Sequence, residues 1–459
     1  MRPTAALLVL ALLPACNRTG PPRRDGPGTL DTADSGTPGP ITASNEVGTL
    51  IVEPALTTVV TATFDMAADA DETWVSWTVD GEERRSPAVP RVAGEAATVA
   101  LLGTPADTSI EPVLHVVVEG VETTAAFPEI TTGSLPPGLI TPTLTASADG
   151  ARPEPWTLLS VDVGQSPFFG PWFAIIVDDQ GRIVWYRLAT DRRLTWQAAT
   201  SRGHVVLDTT NTYSRRGPDS LTRLTLDLRQ EEEIVLPDFH FAWQEMPDGG
   251  FVYGTGGGDR PYDLVRRHPD GTDEVVWQCL PWVEPWLDHP EVWPCAVNTI
   301  RFDEARGTYL YSMFESDTVL EISSEGQIVR ELGRFPGGIV AVPATADLDH
   351  QHLPNWTSEG TLILQTDTPG VPGEQWVREY EVTDEAFSVV FELPSNHFAE
   401  YGGHAQRLAS GHILWGHGTA GVVEELTREG EVVWAIDFGP QVIGNVTPVA
   451  DLYALNEGF

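Results

Sequence analysis

The sequence contains no lysine, so arginine supplies all 27 of its basic side chains other than histidine. This absence excludes a Walker P-loop, a Schiff-base enzyme and a lysine general base, because each of them needs an ammonium group. Against these arginines stand 66 Asp and Glu residues, which give a net charge of −39. We therefore exclude nucleic acid as a partner, since phosphate binding needs clustered cationic side chains.

Cysteine is also scarce, and the first of the three lies at the end of a targeting segment. Arg2, the apolar run 5–13 and Leu13-Pro14-Ala15-Cys16 predict a signal peptide over residues 1–16. Its end resembles a bacterial lipobox, which predicts lipidation of Cys16, and an ordinary signal peptide with a chance cysteine is the alternative. No later run reaches 18 apolar residues, so the lipid is expected to be the only membrane attachment. We expect an exported, lipid-anchored protein of the cell envelope, in the outer membrane and facing the periplasm or the surface.

The other two cysteines, Cys279 and Cys295, lie 16 residues apart. An exported protein folds in an oxidising compartment, where a pair of cysteines is a disulfide candidate. We predict this disulfide, with two buried thiols as the alternative.

Composition divides the rest of the chain into three segments. Residues 17–45 hold ten Pro or Gly residues and no aromatic side chain, which predicts a disordered tether. Residues 46–132 contain six short strand-like runs separated by turn residues, which predicts a small Ig-like β-sandwich. Residues 140–459 form the third segment, which repeats.

The repeat is a turn glycine followed by an apolar strand. The glycines, at intervals of 46, 58, 53 and 51 residues, are Gly203, Gly249, Gly307, Gly360 and Gly411. A second recurring phrase, a turn and a strand, ends in Trp185, Trp277 and Trp434 among others. A period near 50 built of strands and turns is typical of a β-propeller with four strands per blade. Residues 156–177 add one more strand pair, so the predicted fold is all-β, a six-bladed propeller after the sandwich, with five or seven blades as alternatives.

Polar side chains recur at nearly the same distance before four of these glycines. His240, Asn298, His352 and His404 precede the next turn glycine by seven to nine residues. Propellers bind ligands at one mouth of the axial channel, where the inner strand of each blade begins. We therefore predict that these four side chains converge on one site. The alternative is that they cap turns or bind channel water.

The segment from Asp347 to His352 also permits a metal interpretation. In an extended strand His350 and His352 would point to the same face. With His240 or His404 they would form a zinc-like set. Because His-x-His alone is a weak motif, we expect neither a metal nor another cofactor.

Four segments resemble, in chain order, motifs of the arylsulfotransferase (aryl-sulfate sulfotransferase) propellers of bacterial envelopes, over about residues 150–459. They are His240 with Pro247-Asp248-Gly249, then Asn298-Thr299-Ile300, then Gln351-His352 with Gly360-Thr361-Leu362-Ile363-Leu364, and finally Ala405-Gln406-Arg407-Leu408 with Val432-Val433-Trp434. The third segment resembles the one that carries the family's histidine nucleophile.

The resemblance implies transfer of sulfate from an aryl sulfate ester to a phenolic acceptor. His352 would form a sulfohistidine, and His240, Asn298 and His404 would complete the catalytic set. A neutral imidazole is a competent nucleophile near neutral pH, and a covalent intermediate divides the transfer into two easier steps. The implied partners are small molecules, and the sequence names no protein partner.

Two positions depart from the family pattern. A family histidine falls at Ala296, and a family arginine falls at Phe314. In the family both side chains hold the sulfuryl oxygens, and a phenyl ring cannot replace the paired N–H donors of a guanidinium. The departures predict weakened or altered activity. A non-catalytic propeller that binds a ligand or partner at the same mouth is the first alternative, and a metal-dependent site on the same histidines is the second.

Overall fold

A computed structural model describes residues 40–148, 152–164, 170–190, 196–209, 219–256, 262–286 and 295–459. Cys16 and residues 17–39 of the predicted tether lie outside the described residues. Residues Pro40–Phe459 form one compact unit. The described residues are mostly β-sheet, and their single α-helix is α1, Cys279–Val283. No helix within the described ranges is long and apolar enough to cross a membrane.

The N-terminal part contains two antiparallel sheets. Its strands β1–β11 are Ile41–Ser44, Thr49–Val52, Val60–Asp65, Ala70–Val79, Glu82–Arg85, Val89–Arg91, Ala96–Leu101, Ser109–Ile110, Val113–Val118, Val121–Ala126 and Ile130–Thr131. One sheet has the order β1-β2-β3-β7 and the other β10-β9-β4-β5, with β6 also paired to β4 and with β8 paired to β11 outside both.

The two sheets share one core because apolar and polar residues alternate along their strands. In β3 the buried positions are Val60, Ala62 and Phe64, and they pack in one cluster with Val75 and Trp77 of β4. Alternation of this kind turns one face of each sheet inward.

The folded part begins earlier than the composition indicates. Strand β1 lies inside the range that the sequence analysis assigns to the tether, and it pairs with β2 in register from Ile41↔Val52 to Ser44↔Thr49. Its side chains are mostly exposed. Strand β1 is held mainly by backbone hydrogen bonds to β2. Because its side chains are mostly exposed, its amino-acid composition does not distinguish it from the tether.

The C-terminal part is built from strands β12–β37. They are Thr143–Ser147, Trp156–Asp162, Trp172–Val177, Ile183–Thr190, Ala198–Ser201, His204–Thr209, Ser220–Leu224, Glu231–Val235, Phe239–Glu245, Phe251–Thr255, Leu264–Arg267, Asp273–Trp277, Val297–Asp303, Thr308–Met313, Thr318–Ser323, Ile328–Gly333, Ala341–Val342, His352–Trp356, Leu362–Thr368, Val371–Val382, Phe387–Pro394, His404–Arg407, Ile413–Gly416, Val422–Leu426, Val432–Asp437 and Val442–Val449. Short 3₁₀ helices cover Glu284–Trp286, Ala344–Ala346, Gly418–Ala420 and Tyr453–Leu455.

These strands form successive sheets, each built on an antiparallel run of four strands. Three sheets are consecutive runs, β16 to β19, β20 to β23 and β24 to β27, and a fourth is β29 to β32 with the short strand β28 parallel to β32. The last is β33 to β36 with β12 at its edge, and the first joins β13 to β15 with β37. The chain is therefore the all-β propeller that the sequence predicts. Six sheets of this kind occur among the described residues.

Both ends of the propeller sequence close the ring. Strand β37 pairs antiparallel with β13, so the last strand of the chain completes the first sheet. Strand β12 pairs antiparallel with β36, so the first strand completes the last sheet. Strand β37 also contacts β33 and β16, the first strands of the sheets on either side of it. It is thus the inner strand of its own sheet.

The two repeated phrases have distinct structural roles. Each turn glycine of the first phrase has a positive φ, from +63° at Gly307 to +87° at Gly360, a conformation that favours glycine. The tryptophans of the second phrase join neighbouring sheets. Trp185 Nε1 donates to Leu226 O at 2.8 Å, and Trp434 Nε1 donates to Asp179 O at 2.7 Å.

Candidate functional site

The four predicted side chains lie at the same end of adjacent strands. His352 and His404 are the first residues of β29 and β33, while His240 and Asn298 are the second residues of β20 and β24. Strand β24 contacts β20 and β29, and β29 contacts β33. The predicted address, the start of the first strand of each sheet, is therefore where the structure has these residues.

Asn298 and His352 are in direct contact, and this contact fixes a proton. The Asn298 Nδ2 donates to Gln351 O at 2.6 Å and lies 3.4 Å from His352 Nδ1. Because the Gln351 carbonyl can only accept, the amide nitrogen must be on this side, and its second hydrogen points to an accepting Nδ1. The neutral His352 ring then carries its proton on Nε2.

The backbone on both sides of His352 is in an unusual conformation. His350 has φ +49° and Leu353 has φ +50°, and a β-bulge interrupts the pairing of β29 with β30 there. Buried Gln351 anchors the segment, because its Nε2 donates to Met313 O at 2.8 Å and to Thr318 O at 3.0 Å. Left-handed non-glycine residues cost about 1–3 kcal/mol each and are often found at functional sites.

His404 has the same protonation pattern as His352. Its Nδ1 accepts the Val446 N–H at 3.0 Å, so the neutral ring carries its proton on Nε2. Gly403 precedes it with φ +135°, and a Cβ on Gly403 would lie 2.0 Å from Gln365 Oε1. Gln365 is the cross-strand partner of His352. Glycine at 403 thus allows the strands that carry His352 and His404 to approach each other closely.

His240 packs on the sheet that contains it. Its ring meets the Tyr262 ring edge to face, with the centroids 5.8 Å apart. A Cβ on Gly256 would lie 2.5 Å from the His240 Cβ and Cγ, so that glycine makes room for the histidine. The structure joins Asn298 directly to His352, whereas His240 is placed on the neighbouring inner strand.

Burial keeps the three imidazoles neutral. It lowers the pKa of His240 to about 4. It does the same to His352, with a smaller effect from the His350 charge, and it lowers the pKa of His404 to about 3, with a smaller effect from the Arg301 charge. Near neutral pH this end of the inner strands therefore presents uncharged rings, and His352 and His404 offer Nε2–H donors.

The two departures from the family pattern lie next to each other beside His352. The Phe314 N–H donates to Ala296 O at 3.3 Å, and the Phe314 ring lies 5.2 Å from the His352 ring. The position at which the resemblance implies an arginine is thus close to His352, and it presents a phenyl ring.

The sequence analysis missed a cation on the same strand as Asn298. Arg301 lies three residues farther along β24, and no carboxylate of the described residues comes within 4.0 Å of its guanidinium. Its Nη1 donates to the backbone carbonyl of Ile300 at 3.5 Å. Burial lowers the pKa of Arg301 to about 10, so it stays charged at neutral pH. The signal available in the sequence was a charged residue between Ile300 and Phe302, two apolar residues of the same strand.

A disulfide fixes the start of this strand. Cys279 begins α1 and is bonded to Cys295, two residues before β24, with the Cα atoms 6.0 Å apart. Both cysteines are buried. The bond ties the end of one sheet to the strand that carries Asn298 and Arg301.

Comparison with known proteins does not identify a family. No protein-family model and no curated protein matches the sequence. Among solved structures, a Bacteroides caccae protein of unknown function is 16% identical with a TM-score of 0.43, over 65% of this chain and 100% of that one. Virginiamycin B lyase from Staphylococcus aureus is 12% identical with a TM-score of 0.38, over 67% of this chain and 98% of that one. Similarities this low say nothing about activity.

The metal interpretation of His350 and His352 rests on a premise that is wrong. Strand β29 begins at His352, and His350 lies before it in a left-handed conformation, so the two do not share one face of an extended strand. His350 Nδ1 pairs with Asp349 Oδ1. Arg334 Nη1 lies 3.0 Å from an Asp317 oxygen and 3.3 Å from an Asp349 oxygen, so a cation already contacts the neighbouring carboxylates.

The depressed pKa of His352 predicts a pH-dependent stability. Its ordinary value is 6.5 and its value in the fold is about 4, so below pH 6.5 the unfolded chain takes up a proton that the folded chain does not. The His352 contribution is complete above pH 6.5 and is lost as the pH falls towards 4. His352→Gln should therefore lose less stability than the wild type over this window, by up to about 1.4 kcal/mol per pH unit. Urea unfolding at pH 7, 6 and 5 measures the difference, and parallel stability curves would contradict it.

Proposed function

We propose that this protein binds an anionic aryl ester, of the aryl sulfate class, at the end of the propeller where His352 and His404 begin their strands. The observation that carries the proposal is Arg301, a guanidinium on an inner strand without a carboxylate of the described residues within 4.0 Å. In a chain with 66 acidic residues, such an arginine is available for an external anion. A guanidinium makes strong, charge-assisted hydrogen bonds to the oxygens of such groups.

Side chains at the start of the neighbouring inner strands match the two halves of this ligand. The Nε2–H groups of His352 and His404 donate, and sulfate oxygens accept. The Phe314 ring beside His352 offers an apolar face for the aryl group. Neutral histidines add no charge of their own, so Arg301 supplies the electrostatic attraction and the imidazoles add directional hydrogen bonds.

Sulfuryl transfer through His352 is the second candidate, and the neutral state of this ring favours it. In this reaction an imidazole nitrogen attacks sulfur, the bond from sulfur to the aryl oxygen breaks, and the phenolate leaves and takes up a proton. A phenol acceptor then attacks the sulfohistidine, the N–S bond breaks, and the released imidazole takes up the proton that the phenol loses. We place transfer second because the Asn298 amide donates to Nδ1, which leaves Nε2 protonated and without a free lone pair.

Calorimetric titration of the full chain with phenyl sulfate tests the proposal, and phenol is the uncharged control. We expect one saturable site for phenyl sulfate and none for phenol. A chromogenic aryl sulfate with a phenol acceptor tests the second candidate in parallel. Turnover that His352→Gln abolishes would favour transfer, and binding without turnover would favour the ligand-binding function. The absence of both binding and turnover would refute both.

We also propose that Cys16 carries a lipid that anchors the protein in the cell envelope. The apolar run and the lipobox-like segment before Cys16 support this. Cys16→Ser should move the protein from the membrane pellet to the soluble fraction. The double variant Cys279→Ser/Cys295→Ser is the control and should remain in the pellet. A Cys16→Ser protein that still pellets with membranes would contradict the anchor.

A further inference from the structure

Two histidines and a glutamate meet in the last sheet, in a cluster outside the proposed ligand site. His397 lies in the connection between β32 and β33, His417 directly follows β34, and Glu424 belongs to β35. His417 is 1% exposed and Glu424 is 6% exposed, while the His397 side chain is 32% exposed. The cluster is therefore closed on one side and reaches solvent through His397.

The nitrogen and oxygen atoms of the cluster converge on one point. Glu424 Oε1 lies 3.2 Å from His397 Nε2, and Glu424 Oε2 lies 3.1 Å from His417 Nε2. One donor atom from each residue can be chosen so that all three lie within 4.8 Å of one another. In a tetrahedral zinc site with bonds of about 2.0–2.2 Å, neighbouring ligand atoms are about 3.3 Å apart. The spacing is thus close to that of a zinc ligand set.

The hydrogen bonds of the cluster indicate which ring nitrogen of His417 carries a proton. The Ser395 hydroxyl donates its single hydrogen to His397 O at 2.6 Å, so towards His417 Nδ1, at 3.3 Å, it can only accept. The His417 proton is then on Nδ1, and in the neutral ring the Nε2 lone pair faces a carboxylate oxygen. Two lone pairs at 3.1 Å repel each other, so either a proton or a metal cation lies between these two atoms.

We propose that His397, His417 and Glu424 bind a divalent transition-metal ion of the zinc class. Two imidazole nitrogens and one carboxylate form a donor set that suits Zn²⁺, and three protein ligands leave one position for water. The hydrogen bond from His417 Nδ1 to Ser395 is the outer contact that metal-binding histidines characteristically make through their second nitrogen. The site is independent of the ligand site proposed above and does not require it.

The same sheet contains a matched pair that lacks these features. His412 Nδ1 lies 2.8 Å from Glu425 Oε1, an ordinary pairing of one histidine with one carboxylate. No second histidine among the described residues joins that pair in a metal-binding group. His412→Ala is therefore the control for removal of a histidine from this sheet.

Equilibrium dialysis of the EDTA-stripped full chain against ZnCl₂, followed by metal analysis, tests the proposal. We expect about one Zn²⁺ per chain, at least tenfold weaker binding in His397→Ala, and unchanged binding in His412→Ala. His397 is the most exposed ligand, so its replacement should leave the fold intact, which circular dichroism verifies. Co²⁺ should give the visible absorption of a four- or five-coordinate site.

Two results would overturn the proposal. One is a wild-type protein that binds no stoichiometric Zn²⁺, or that binds it equally well in His397→Ala. The other is a nitrogen-15 spectrum that shows protons on both nitrogens of His417 with Zn²⁺ present, since a proton would then lie between His417 and Glu424 in place of the metal.

Discussion

Arg301→Met should weaken the binding of phenyl sulfate about 100-fold or more, which corresponds to about 2.7 kcal/mol. Arg301 supplies the positive charge on the inner strand that carries Asn298, and methionine keeps the length of the side chain without its charge. No described carboxylate lies within 4.0 Å of Arg301, so the change leaves no such acid without its partner. We therefore expect unchanged or higher thermal stability together with the loss of binding. Calorimetric titration and thermal unfolding of the same preparation measure both.

Arg306→Met is the matched control for this change. Arg306 follows the same strand, but it is exposed, pairs with Asp303 at 3.0 Å and lies 4.1 Å over the Trp356 ring. We expect its affinity for phenyl sulfate to stay within about twofold of the wild type, since exposed pairs contribute little. Equal losses in the two variants would indicate a general charge effect, and no loss in Arg301→Met would remove the basis of the proposed ligand site.

Trp434→Ala should lower the free energy of unfolding by about 3–5 kcal/mol. The Trp434 side chain is fully buried, and its Nε1 donates to Asp179 O in the first sheet. The Arg152 guanidinium lies 3.9 Å over its ring and pairs with Glu425 at 2.7 Å. One substitution therefore opens a cavity and removes a link between the last sheet and the first. Denaturant unfolding measures the loss.

Trp376→Ala is the comparison for a tryptophan that links no sheets. Its Nε1 donates to Thr368 Oγ1 within one hairpin, and its ring is only partly buried. We expect a loss of about 1 kcal/mol, mainly from the hydrogen bond and partial burial. Equal losses at Trp376 and Trp434 would show that the link between sheets adds nothing to the stability.

The sequence predicted the repeat and the position of the four polar side chains on their strands because both depend on local rules. A turn such as the one at Gly360 needs a positive φ and therefore favours glycine, and the buried strand after it favours apolar residues. The repeat of about 50 residues can therefore be recognised from the sequence alone. Once the turns are known, the residues seven to nine positions earlier fall at the start of the first strands. His352 and Asn298 are in contact for that reason.

What the sequence could not predict depends on tertiary contacts. Arg301 is a buried arginine on an inner strand with no described carboxylate within 4.0 Å, and neither its burial nor its lack of a partner is visible without coordinates. His397, His417 and Glu424 come from three separate elements, and no spacing motif joins them. The direction of the Asn298 amide, which places the His352 proton, also follows from a neighbouring carbonyl and not from residue type.

Because β37 pairs with β13, the ring of sheets can close only after β37 has been synthesised. During synthesis β13 emerges before all the strands from β14 to β36, and its partner β37 comes after them. Until then the edge of β13, which carries the buried residues Leu158, Leu159 and Val161, has no partner strand. Unpaired apolar edges are templates for aggregation, and contacts so distant in sequence form slowly. A nascent chain that stalls before residue 442 therefore lacks the partner strand of β13, and its unpaired apolar edge makes it prone to aggregation.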